Sequence, residues 1–149
     1  MIKDEIKVLG ELESAYEKKE SEVFDICDSV LKKIYNLQTE YNKKNHRLFI
    51  ISEGFEHFKT DDVEDRGDVI FINYYDLDYD CYDSDSILLP PDLFDSDTKL
   101  IEWFESRVSE HEAKVKKRKQ INENKEYQEY LRLKEKYDSQ KHKNVDEEI

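Results

Sequence analysis

Apolar residues recur in alternating steps of four and three from Ile2 to Tyr41. Ile6, Glu13, Glu20, Cys27, Ile34 and Tyr41 occupy one seam position, and Ile2, Leu9, Tyr16, Val23, Val30 and Leu37 the other. Ten of these twelve positions are apolar. That spacing keeps a stripe on one side of an α-helix, so the first forty or so residues are predicted to form one long helix. Gly10, Glu13 and Glu20 weaken its first half, and a break is expected near Glu20 and Ser21. Phe24, Leu31 and Tyr35 widen the stripe in the second half, which is predicted to be the buried one.

Turn residues set the next constraint. The chain of 149 residues has only three Gly and two Pro, too few to close a multi-stranded sandwich, so long helices with a small sheet are favoured. The charged fraction is 41 %, against about 25 % in ordinary domains. Ten Tyr and seven Phe nevertheless supply material for a core. The expected class is α+β: a long N-terminal helix, an antiparallel sheet of about three strands and a long C-terminal helix, with coiled-coil-like helical packing. Residues 1–138 are read as one domain with helical arms and 139–149 as a flexible tail.

Three strands are expected. Leu48–Ile51, a continuous apolar run extended by Phe55 and Phe58 past Gly54, is the first, and the polar run Thr60–Asp68 its hairpin loop. Val69–Tyr75 is apolar on both faces and is expected to be the central strand, with Asp76–Tyr82 prolonging or turning it. Ile87–Leu89 is the third, stopped by Pro90 and Pro91. Ser96 or Asp97 then caps a helix with an apolar set of Leu100, Ile101, Trp103, Phe104 and Val108; a hinge is expected at Gln120–Asn124, before Tyr127, Tyr130, Leu131 and Tyr137 resume a stripe.

Charge is polarised along the chain. Residues 53–97 hold fifteen Asp and Glu against Lys59 and Arg66 alone, so this segment carries the whole formal charge of −13. The flanks are balanced. A local field of this kind is either a solubilising face or a docking surface for a cation-rich partner. If the segment is extended, Asp76, Asp78 and Asp80 share one face, and alternate positions stand roughly 6.6 Å apart, close to the spacing of successive phosphates. Asp76, Asp78, Tyr79, Asp80, Tyr82, Asp83 and Asp85 are therefore the candidate partner-binding set, a possible nucleic-acid mimic in which Tyr stands in for stacked bases. Val23, Cys27, Val30, Ile34, Tyr127 and Leu131 are the candidate residues for dimer or helix packing.

Catalytic and cofactor signatures are missing. There is no Gly-rich phosphate loop, no Gly-x-Ser-x-Gly elbow, and His46, His57, His111 and His142 are scattered. Asp-x-Asp-x-Asp resembles a calcium loop, but an EF-hand register from Asp76 puts Cys81 where Gly belongs and Ile87 where Glu belongs. No metal or other cofactor and no enzyme activity are expected. Arg66-Gly67-Asp68 is read as turn chemistry. Cys27 and Cys81 have no partnering motif, and the chain shows no apolar targeting or membrane segment, which points to a reducing cytoplasm of a bacterial host. Net negative charge disfavours direct contact with nucleic acid or membrane.

The order of helix, acidic aromatic hairpin, Ile87-Leu88-Leu89-Pro90-Pro91 stop and charged helix ending in Glu129–Tyr137 resembles small uncharacterised proteins encoded by bacteriophages and prophages. That resemblance implies an accessory setting in which small acidic proteins inhibit defence enzymes, restriction systems or CRISPR effectors. Three functions are carried forward: a protein-binding antagonist with a basic partner, a coiled-coil dimerisation or assembly module, and a nucleotide-binding sponge.

Overall fold

The computed structural model describes the chain except for residues 46, 79–82 and 148–149, with side chains described up to residue 141. The elements are α1 (Ile2–Asn42), β1 (Phe58–Asp65), β2 (Ile70–Asp76), β3 (Ser84–Leu89), a short 3-10 turn (Pro91–Phe94) and α2 (Asp97–Glu147). This is the expected α+β class, with two long helices and a three-stranded antiparallel sheet. Contacts divide the chain into Met1–Val108 and Ser109–Ile149. Neither predicted interruption is present: Glu20–Ser21 lies within α1, and Gln120–Asn124 within α2, which is helical to Glu147.

Within the first unit the second half of α1 lies on the sheet. Cys27, Val30, Leu31 and Ile34 are buried with Ile72, Tyr74, Leu89, Ile51, Phe55, Leu93 and Leu100 in one cluster, and Val23 packs at its margin. Aromatic edges knit this core, with Phe58 and Phe55 each 5.7 Å from the Tyr74 ring. Val23, Cys27, Val30 and Ile34, the candidates on α1 for dimer or helix packing, pack within the chain. Their partner is the chain's own sheet, because burying them there removes the same apolar surface from water without a second molecule.

Strand order is β1-β2-β3, so the strand read as central is central. Its neighbour departs from the expectation. Leu48–Ile51 is a loop, and the polar run expected to be a loop supplies β1. Side chains of α1 explain the first half of this exchange. The Gln38 amide donates to the Ile51 carbonyl at 2.9 Å and accepts from the Ile50 and Ile51 N–H groups at 2.7 and 2.8 Å. Asn42 likewise donates to the Leu48 carbonyl and accepts its N–H. Two helix residues therefore satisfy the backbone that a neighbouring strand otherwise satisfies, and Ile51 plugs the core as loop.

β1 keeps its acids in water by turning only Phe58, Thr60 and Val63 inward. The shift from even to odd numbering occurs at Asp61, a bulge between the pairs Thr60–Tyr74 and Asp62–Asn73. The turn to β2 uses Gly67 at φ 86°, with the Arg66 N–H on the Val69 carbonyl and the Gly67 N–H on Asp65 Oδ1. Arg66-Gly67-Asp68 is turn chemistry, as read.

Candidate interaction face

Directly paired residues of an antiparallel sheet share a face. With Ile72, Tyr74 and Asp76 inward, the outward face carries Lys59, Asp62 and Glu64 on β1, Phe71, Asn73 and Tyr75 on β2, and Ser84, Ser86 and Leu88 on β3. Leu88 keeps 49 % of its surface exposed, while Phe71 and Tyr75 are half-buried. Arg66 stacks over Phe71 at 4.1 Å and reaches Glu64 at 3.4 Å. The bulged Asp61 accepts the Asn73 amide at 2.7 Å.

Acidic groups crowd the margin of the sheet. Among the described residues no Lys or Arg stands at ion-pair distance from Asp61, Asp62, Asp65, Asp83 or Asp85, all exposed. Glu53, Glu64 and Asp92 are paired, with Arg47, Arg66 and Lys99. Unpaired carboxylates at a surface repel one another and attract cations, so the sheet margin has a negative field.

The predicted partner-binding set divides. Asp76 is 2 % exposed, which corrects its place on the outer row. Strand parity puts it on the same face as Ile72 and Tyr74, and β2 ends there instead of extending the row. Buried, the Asp76 carboxylate accepts the Asp78 N–H at 3.0 Å, while its backbone N–H donates to the Asp83 carbonyl at 2.9 Å. Its carboxylate faces the chain's own backbone. Asp78 and Asp83 are exposed, as expected. Asp85 is exposed too and is tied to Ser52 Oγ and, at 3.5 Å, to the Tyr74 hydroxyl. Burial, ahead of the nearby Asp85, pushes the Tyr74 phenol above its usual pKa. Tyr79, Asp80 and Tyr82 lie outside the described residues. Tyr127 and Leu131 are exposed on the second unit.

Sequence reading passed over Asp61, Asp62 and Asp65 because they fell in an expected loop. Nor does spacing join Asp78, a candidate on other grounds, to Glu56 and His57, yet the donor atoms of the three lie within 4.8 Å of one another, with His57 Nδ1 3.0 Å from Asp78 Oδ2. The Leu77 N–H on the His57 carbonyl, at 2.8 Å, holds the two segments together. Glu56 and His57 are adjacent in sequence, but twenty-one positions separate His57 from Asp78, so only the fold brings them together. A nitrogen and two carboxylates of this kind can ligate a divalent cation. Beside them a cleft of about 510 Å³ is lined by Asp28, Lys32, Tyr35, Phe58, Lys59 and Leu77 with Glu56 and His57.

Comparison with protein-family models, curated proteins and solved structures finds no match to this chain. Among the described residues no helix is long and apolar enough to cross a membrane.

Proposed function

We propose that the protein is a non-enzymatic antagonist that offers the outer sheet face and its acidic margin to a basic protein, of the kind that handles nucleic acid. The observation that carries this reading is Asp61 and Asp62 on the outer side of β1, beside Phe71, Tyr75 and Leu88, with Asp65, Asp83 and Asp85 exposed at the sheet margin and all five without Lys or Arg at ion-pair distance among the described residues. Apolar contact area supplies affinity and the surrounding negative field supplies steering. A bacterial cytoplasm and a phage or prophage accessory setting fit this role.

Capture from bacterial lysate tests it, using the immobilised chain at low and raised salt beside a variant with Asp61, Asp62, Asp65, Asp83 and Asp85 all changed to Asn. A nucleic-acid-binding protein held at low salt, released at raised salt, displaced by DNA and lost with the Asn variant is the expected result. A partner retained equally by both proteins at both salts excludes the reading.

A second reading, nucleotide binding, draws on the cleft at Tyr35 and Phe58, where Lys32 and Lys59 offer cations to a phosphate. It predicts a rise in melting temperature with nucleotide, abolished by Lys32→Ala and Lys59→Ala together.

A further inference from the structure

The first half of α1 is a helix face without a cover. Every residue from Met1 to Glu22 is exposed, and Ile6, Leu9, Leu12 and Tyr16 keep between 57 % and 68 % of their surface. Burial begins at Val23, where the sheet takes over the same stripe. One seam is therefore filled by the chain's own core along half its length and left bare along the other half.

We propose that this bare half pairs antiparallel with its counterpart in a second copy of the chain, about a two-fold axis near Glu11. Three independent features of the sequence fit that one register. In an antiparallel two-stranded coil each seam residue faces the other seam position of its partner. With Ile6 set against Tyr16 of the second copy, Leu9 falls against Glu13 and Ile2 against Glu20. Glu20 lies one turn beyond Tyr16 on the same helix and holds the Tyr16 phenol above its ordinary pKa.

Flanking charges supply the second feature. The same register brings Lys3 beside Glu17 of the other copy and Glu5 beside Lys19, and two-fold symmetry repeats both pairs. All four contacts join opposite charges, and Leu12 meets Leu12 across the axis. Among the described residues Lys3, Glu5 and Glu17 have no oppositely charged neighbour at ion-pair distance within the chain, and Lys19 has only Glu22 at 3.5 Å. A parallel in-register pair instead sets Glu5 against Gly10, Leu12 against Glu17 and Lys19 against Phe24, which matches no charges. Gly10 fits the antiparallel pair as well, since it falls opposite Gly10 and nothing lies within 4 Å of where its Cβ would be.

Length is the third. The overlap runs from Ile2 to Glu20, so Ile2 of one copy ends level with Glu20 of the other, just before Val23 enters the core.

Sedimentation equilibrium on the full chain, from nanomolar to high micromolar concentration, reads the assembly directly. A species of twice the 18.0 kDa chain mass is expected to form as concentration rises. Lys3→Glu should weaken it about tenfold by replacing two attractions with two repulsions, and Lys3→Glu with Glu17→Lys should restore it. These residues are fourteen positions apart on one helix, about 21 Å, so rescue cannot arise within a single chain. In a Cys81→Ser background, Leu12→Cys should oxidise to a covalent dimer while Leu9→Cys should not. A monomer at all concentrations overturns the proposal, including one in which residues 2–22 are protected from hydrogen exchange by the Tyr127–Tyr137 stripe of the same chain. So does a dimer indifferent to Lys3→Glu, one that Glu17→Lys fails to rescue, or one that crosslinks through Leu9→Cys in preference to Leu12→Cys.

Discussion

The Thr60 backbone N–H donates to Asp28 Oδ1 at 2.7 Å, joining the helix that carries the core to the first strand of the sheet. Thr60 is buried and its N–H precedes the bulge at Asp61, where the ladder to β2 shifts register. Asp28→Ala leaves that N–H unsatisfied next to the core, and a charge-assisted bond of this kind contributes about 2 kcal/mol. The expected result in urea is a lower midpoint with an unchanged slope. Asp28→Asn, which keeps an acceptor oxygen, should lose less than half as much.

Gln38 makes a larger claim on stability. It is 3 % exposed and serves three backbone groups of the Ile50–Ile51 segment. Gln38→Leu is close in volume but strands the buried Ile51 N–H and carbonyl and the half-buried Ile50 N–H, a cost of about 3 kcal/mol. Gln38→Glu keeps the acceptor for both N–H groups and loses only the donor to the Ile51 carbonyl. Its midpoint in urea at neutral pH should fall between wild type and Gln38→Leu; a ranking in which Leu is the milder change removes the assigned role.

Gly67 lies at φ 86° in the turn between β1 and β2. A side chain there is strained whatever the free space, so Gly67→Ala should cost about 1 kcal/mol and Gly67→Asn less, since Asn tolerates left-handed backbone better. Thermal melts of the two variants check both the sign and the order.

Much of this architecture is legible from periodicity, and the errors have specific causes. α1 and β2 are legible because their apolar residues recur at a fixed spacing, although Glu13 and Glu20 in the seam suggest a break in α1 that the helix does not have. β1 was lost because its inward residues Phe58, Thr60 and Val63 change parity at Asp61, and a one-residue slip hides a two-residue period. Leu48–Ile51 looked like a strand, since nothing local says that Gln38 and Asn42 supply its hydrogen bonds. Asp76 is the instructive case for the site. Its parity with Ile72 and Tyr74 was available, and it placed the carboxylate inward, but counting forward to Asp78 and Asp80 placed it outward. The cluster of Glu56, His57 and Asp78, by contrast, depends on tertiary contact that no spacing discloses.

Cys27 connects burial to alkaline stability. Desolvation in the core, followed by the negative charge of Asp28, pushes its thiol up to about 11 from an ordinary value of 9.0. The thiol is therefore protonated in the folded chain at neutral pH and should resist alkylation until the protein unfolds. In a Cys81→Ser background, the labelling rate at pH 8 should follow the unfolded fraction as urea is raised. The folded state holds this proton more tightly than the unfolded state. Its contribution to stability is full below the unfolded value near 9 and is lost as pH rises through about 11. Tyr74, also displaced upward by burial, adds to the same alkaline loss. Cys27→Ala should lower stability at pH 7 by opening space in the core, yet flatten the decline between pH 9 and 11 relative to the Cys81→Ser parent. Equal slopes in the two proteins over that interval refute the assignment to Cys27.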